Sequence, residues 1–304
     1  MAKSKQSAGL GFAVIIALVV VAGATVAITQ DWKTGQNSLV EGLKAQTGDP
    51  EAQYRKAISL LNQHGVIGAD RQATEWLEKA AGGGHVPAML KLGDIRNAGS
   101  SEADGDAAVA WYDKAAKAGN IEAMRKLGIA YAIGRGRNEP APDKALPLFE
   151  TAARAGDDEA KLHLGRMLVT TKRVDEGVTW LTRAGETGQV RAWYVLGDMY
   201  YQARNVKKDQ ERAFGYFARG AEGGEVEAQL LYSFMFLTGR STKADKAEAY
   251  KWLLIADESK SQKTRSAMAY LEPRLSPAEM AEGKKRADAW KAANPRKVPK
   301  PAGS

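Results

Sequence analysis

The chain has 304 residues, of which 44% are hydrophobic, enough to bury a core and to exclude disorder along its whole length. It contains no cysteine, which excludes disulfides, thiolate catalysis and thiolate metal sites and fits an exported protein that avoids oxidative mispairing. The formal net charge of +8 sits at the two ends: Lys3 and Lys5 carry two charges and residues 284–304 carry six, so the near-neutral body offers no basic face for nucleic acid.

In chain order, residues 1–8 read as a short basic N-terminus. Residues 9–29, GLGFAVIIALVVVAGATVAIT, carry no charge. As a helix this run reaches roughly 31 Å, the thickness of a hydrocarbon core. Lys3 and Lys5 precede it, while Asp31 and Lys33 cancel after it. The positive-inside tendency then keeps the N-terminus in the cytoplasm and places everything after residue 30 across the membrane, with Trp32 at the interface. A cleaved signal peptide is the alternative, cut at Ala22-Gly23-Ala24 or Thr25-Val26-Ala27. The apolar run continues past the first of these sites, which favours a retained anchor. Both readings put the body on the same side. Residues 30–50 form a spacer with a helical stretch over 38–46.

A repeat fills residues 51–262. Ala52, Ala88, Ala123, Ala160, Ala192 and Ala228 recur at spacings of 36, 35, 37, 32 and 36. After four of the six alanines, Leu follows at +4 and glycine at +5: Leu92-Gly93, Leu127-Gly128, Leu164-Gly165 and Leu196-Gly197. Glycine inside a helix costs roughly 1 kcal/mol against alanine. Its recurrence at one register therefore predicts a close helix–helix approach. The second half of each unit begins on a small residue, has a bulky pair at +3 and +4, small residues at +7 and +8, and a closing glycine near +11. Examples are Ala73, Trp76-Leu77, Ala80-Ala81 and Gly84, or Ala145, Leu148-Phe149, Ala152-Ala153 and Gly156. The closing glycine fits a left-handed C-cap. Asp70, Asp143, Asp209 and Asp245 stand where N-caps of second helices would. The Trp and Tyr at +3 and +4 read as core. Each unit is a helix hairpin with one apolar face that only a neighbouring hairpin can cover. The expected fold is therefore all-α: an α/α solenoid of about six hairpins.

These residues resemble the Sel1-like repeat family, relatives of the tetratricopeptide repeats. The family pattern A-x-x-x-L-G-x-x-Y-x-x-G-x-G is fullest at Ala123, Leu127-Gly128, Tyr131, Gly134 and Gly136, and its second half at Trp76, Lys79, Ala80 and Ala81. There are departures. Lys56 replaces the first Leu, as a solvent-facing cap would. The loop of unit four, residues 171–174, lacks the usual glycines, and unit six has Tyr232-Ser233 for Leu-Gly.

Beyond the array, residues 263–293 read as capping helices. Ser276 is the N-cap of the last helix, with Pro277 at N1, Glu279 completing a capping box and Leu275 stapled to Met280. Residues 294–304 read as a flexible basic tail.

No catalytic, cofactor-binding or metal-binding residue is expected. His64, His85 and His163 lack ligand partners at metal spacing. Gly134-Arg135-Gly136 follows no strand, which argues against a phosphate loop, and there is no G-x-S-x-G elbow. Repeat arrays bind along their concave, first-helix side. Positions two before and two after each core Leu give Leu90 and Asp94, Arg125 and Ile129, Leu162 and Arg166, Tyr194 and Asp198, and Leu230 and Phe234, with Tyr201 one turn beyond Asp198. This mixture of apolar residues, Arg and Tyr suits a protein partner. The repeat array, the anchor and the missing active site point to a non-enzymatic adaptor on the outer face of a bacterial inner membrane, bound to envelope or membrane proteins and to no nucleic acid or small substrate. The resemblance implies that such a protein assembles envelope complexes or modulates membrane signalling. Two alternatives stay open: a periplasmic regulator that binds a membrane sensor protein, and an envelope hydrolase. The hydrolase reading is disfavoured because the relatives it rests on resemble disulfide-rich arrays.

Overall fold

The computed structural model describes residues 40–63, 67–136 and 139–301. The apolar run 9–29, with the anchor or signal peptide read from it, lies outside the described residues. Among those described, no helix is long and apolar enough to cross a membrane, and all regular structure is helical. The chain divides into two compact units, residues 1–88 and 89–304.

In the first unit, a helix over 40–46 precedes α1 (Pro50–Leu61) and α2 (Ala69–Gly82). Asp49 caps α1 by accepting from the Ala52 amide at 2.8 Å, and the buried Gln53 side chain donates to the Ala45 carbonyl at 3.1 Å. Lys56, which takes the place of the first core Leu, is half-buried. Its ammonium lies 4.1 Å from the centre of the Trp76 ring, which offers the cation a π face inside the hairpin.

The second unit begins within α3 (Val86–Ala98) and continues through α4 (Glu102–Lys117), α5 (Ile121–Ile133), α6 (Pro142–Arg154), α7 (Asp158–Thr170) and α8 (Val174–Glu186). It goes on through α9 (Arg191–Gln202), α10 (Gln210–Glu222), α11 (Val226–Thr238) and α12 (Lys246–Asp257). Odd-numbered helices are first helices and even-numbered ones are second helices. Each second helix from α4 to α10 packs both on its hairpin partner or its ring contact and on the next first helix. The array is therefore an α/α solenoid.

The glycine register explains the packing. An added Cβ on Gly128 would lie 2.8 Å from the Phe149 ring, on Gly197 2.6 Å from the Phe217 ring, and on Gly165 2.6 Å from Leu181 Cγ. In each case the glycine of the first helix meets the +4 side chain of its own second helix. Phe149, Leu181 and Phe217 are at most 1% exposed, and burying side chains of this size contributes about 1.5–3 kcal/mol each. That outweighs the helix-propensity cost of one glycine, about 1 kcal/mol. Hairpin six has Ser233 in place of the glycine, and its hydroxyl donates to the Ala249 carbonyl at 2.6 Å, which satisfies the added polar group.

The +3 residue behaves differently from the core reading. Trp76, Trp111 and Trp180 are only half-buried. Each is covered by a cation one turn on: Lys79 at 4.3 Å, Lys114 at 4.2 Å and Arg183 at 5.0 Å. In these three hairpins the +4 side chain fills the core and the +3 ring lines its margin, whereas Trp252 at +3 of hairpin six is 3% exposed and in the core, as expected.

The closing glycines do cap. Gly84, Gly119, Gly156, Gly188 and Gly224 all have positive φ, and at Gly156 (φ 100°) the following amide, Asp157 N, donates to the Ala152 carbonyl at 3.1 Å. Asp209 and Asp245 cap α10 and α12 as expected. Asp70 and Asp143 do not: both lie in the first turn, after Gly68 and Ala141 at the cap positions. In α6, Pro142 takes N1, where its missing N–H costs nothing, and the cap lies two residues earlier than expected.

At the C-terminal end, α13 (Gln262–Leu271) is followed by α14 (Pro277–Ala293). The predicted capping box is present: the Glu279 amide donates to Ser276 Oγ at 3.2 Å, and the Ser276 amide donates to Glu279 Oε2 at 2.7 Å. α14 rests on α12, with Gly283 against Tyr250 and Trp290 edge-on to Trp252. The first residues of the expected free tail turn back instead. Pro295–Lys297 form a 3-10 turn whose Lys297 carbonyl lies against Gly224, where the absence of a side chain admits it.

The close approach sets one prediction. Gly128→Ala should destabilise the protein by about 1–2 kcal/mol despite its better helix propensity, because the Phe149 ring must move. Gly215→Ala, on the open side of α10 with nothing within 4 Å of the added methyl, should stabilise it by about 0.5–1 kcal/mol. Chemical denaturation of both variants measures the pair. Equal effects would contradict the packing argument.

Candidate binding face

The first helices of the second unit carry the residues singled out from the sequence. Leu90, Asp94, Arg125, Ile129, Tyr194, Asp198, Tyr201, Leu230 and Phe234 are half-buried, and Arg166 is exposed. Leu162 is a correction: at 4% exposure it belongs to the core shared with α9 and α10, so it presents no surface to a partner.

Several of these residues tie neighbouring repeats together. Asp94 accepts from Tyr112 Oη at 2.9 Å and from Lys126 Nζ at 2.7 Å, linking α3 to α4 and α5. Arg125 reaches Asp157 at 3.0 Å and Glu159 at 2.6 Å, linking α5 to the start of α7. The other oxygen of Asp157 accepts from the Ala160 amide at 2.7 Å, so one carboxylate both caps a helix and holds its neighbour. Such partly exposed pairs contribute about 0–1 kcal/mol each and act mainly to fix register.

A different group gathers around a cavity of about 350 Å³. Arg166, Val169 and Thr170 contribute from α7, and Arg191, Tyr194, Val195, Asp198 and Met199 from α9. Arg204 and Asn205 close it from the loop after α9. The cavity therefore brings together Arg166, Tyr194 and Asp198 from the sequence reading. Sequence reasoning missed Arg191, Arg204 and Asn205. Two-residue steps about a core Leu sample only the middle of each helix and cannot reach its first residue or a loop.

Local sequence opens this cavity. First helices α5 and α7 meet directly, as do α9 and α11, whereas α7 and α9 stand farther apart. Trp193 follows Ala192 where the other units carry Met, Lys or Gln, and it is 7% exposed in the core. Gly185 makes room for it: an added Cβ there would overlap the indole, and hairpins one, two, three and five carry alanine at the same +8 position. The connection after α7 is also short, residues 171–173, so no loop of its own covers the end of α7. The longer loop of hairpin five leans over instead, with Asn205 Nδ2 donating to the Val169 carbonyl at 3.1 Å. Asn205 is in the left-handed region (φ 58°), which asparagine tolerates better than most residues.

Around this face, Asp198 pairs with Arg204 at 3.2 Å, and burial together with Asp198 pushes the Tyr194 hydroxyl upward in pKa. One repeat further along, Arg240 donates to Tyr201 Oη and lies 5.3 Å from the Phe234 ring. His163 points the other way, stacked on Phe149 at 5.3 Å between ring centres, and burial lowers its pKa. His85, in the first unit, pairs with Glu51 at 2.8 Å and accepts from the Ala88 amide at 3.2 Å, a structural role. His64 lies outside the described residues.

The Sel1 repeat model matches residues 50–85, 86–120, 121–157, 191–225 and 226–256, more than half of the chain. The chain belongs to the Sel1 repeat family. The Sel1 matches omit residues 158–190, the hairpin with the short loop and Gly185. Two solved structures share the fold. A protective antigen of uropathogenic Escherichia coli is 22% identical, with a TM-score of 0.69 over 86% of this chain and 57% of its own. A Sel1 repeat protein from Oxalobacter formigenes is 23% identical, with a TM-score of 0.58 over 80% of this chain and 99% of its own. This chain thus spans little more than half of the Escherichia coli protein. No curated protein matches it. Sel1 arrays, like other solenoids, are interaction scaffolds whose extended surface holds other proteins.

The buried His163 gives a pH prediction. Its folded pKa lies below the ordinary value of 6.5, so its contribution is complete above about 6.5 and is lost as pH falls through the depressed value. His163→Gln should therefore lose less stability than the parent between neutral and mildly acidic pH, narrowing the gap between their melting temperatures. Parallel melting curves across that range would contradict the assignment.

Proposed function

We propose that this Sel1 repeat protein is a membrane-tethered scaffold, which holds other proteins along the first-helix face of α7, α9 and α11 and catalyses no reaction itself. The observation that carries the reading is the cleft between α7 and α9. It joins an apolar floor of Val169, Val195 and Met199 to Tyr194 and a rim of arginines. That is the chemistry of a protein-binding hot spot, with aromatic and arginine anchors around an apolar floor. The uncharged run 9–29 supports the tether, and the charges before it support a repeat array facing the periplasm. The partners under this reading are envelope or membrane proteins, which meet the array at the membrane surface.

Photo-crosslinking in intact cells tests the face. A photoreactive phenylalanine replacing Tyr194 or Leu230 should yield discrete adducts, and one replacing Gly215 on the open side of α10 should not. Adducts of equal yield from all three sites, or none from Tyr194 and Leu230, would overturn the reading. Removing residues 9–29 should release the protein from the membrane fraction and lower the adduct yield.

A further inference from the structure

Charge is unevenly matched on the first helices of the second unit. Every carboxylate on them has a cation. Asp94 and Glu122 share Lys126 at 2.7 and 2.9 Å, and Asp158 has Lys161 at 2.6 Å. Glu159 has Arg125, Asp198 has Arg204, and Glu227 has Lys263 at 3.1 Å. The converse does not hold. Arg166 and Arg191 are exposed and have no ion pair among the described residues, and they stand on facing sides of the cleft, one on α7 and one on α9. The Arg240 guanidinium, one repeat on, donates to Tyr201 Oη and lies on Phe234. The face has thus paired the carboxylates of its helices and kept Arg166 and Arg191 without a salt bridge beside an apolar cavity, Arg191 acting only at longer range on Glu225.

We infer that the cleft takes an acidic segment of a partner protein: a carboxylate side chain bridges Arg166 and Arg191, and its aliphatic neighbours settle on Val169, Val195 and Met199. This deepens the scaffold reading and rests on it. Guanidinium groups suit a carboxylate because their N–H donors match its two oxygens in a paired geometry. The cavity volume of about 350 Å³ holds a few side chains. Nucleic acid is the poorer occupant. Its phosphates need a continuous basic track, and here most cations between the arginines are already paired.

The test uses the full chain in detergent and fluorescence anisotropy. The probe is a short fluorescein-labelled peptide alternating Glu with Leu, compared with the same peptide carrying Gln for Glu. The acidic peptide should bind roughly tenfold more tightly, with an affinity that falls as salt rises. The double variant Arg166→Gln/Arg191→Gln should abolish the difference, Arg166→Lys/Arg191→Lys should keep part of it, and Arg154→Gln on α6 should leave it unchanged. Equal binding of the two peptides, no binding of the acidic one, or a preference that survives the Gln double variant would overturn the inference. If Tyr194 still crosslinks to a partner in cells while the acidic preference fails, only the partner class is wrong. If both fail, the binding face is wrong.

Discussion

The structure depends on one contact repeated along the chain: a first-helix glycine against the bulky side chain four residues into the second helix. At Gly128 and Gly197 the partner is a phenylalanine ring, and at Gly165 it is Leu181. Two helices brought this close leave no space for water between them, and the side chain that fills the gap is almost completely buried. The opposite flank of each second helix stays apolar, with paired small residues such as Ala152 and Ala153. It can be hidden only by the next first helix. Local glycine placement therefore drives the stacking of whole hairpins, and the core clusters run through successive repeats rather than closing within one.

Variation in that theme produces the candidate site. Hairpin four keeps the glycine contact but has a three-residue connection and a glycine at position 185. The first change uncovers the end of α7, and the second admits Trp193 between α8 and α9. α7 and α9 stand farther apart than α5 and α7 or α9 and α11. The space is bounded by polar residues of the following loop and floored by the apolar sides of α7 and α9.

The fold was largely legible in the sequence because its determinants are local and periodic. The alanine spacing, the Leu-Gly pairs, the closing glycines and the Ser276 capping box each report a backbone requirement within a few residues, and the structure meets them. What was misread depended on neighbours. Asp70 and Asp143 look like caps until the preceding Gly68 and Pro142 are seen to set the helix start. Leu162 sits in the right register for the open face, yet it is buried in one cluster with Leu181, Trp193 and Leu196. Arg191, Arg204 and Asn205 were invisible because the cleft arises where two repeats fail to match, and a consensus reading averages that mismatch away. The short loop at 171–174 was the one signal available.

The central claim is that each hairpin holds its neighbours by sharing an apolar flank. Native-state hydrogen exchange of a Phe217→Ala variant tests it most directly. Loss of that ring empties the centre of hairpin five. Amide protection is then expected to fall in α7–α8 and α11–α12 as well as in α9–α10, and least in the helices farthest away. Protection lost from hairpin five alone, with both neighbours unchanged, would contradict the account.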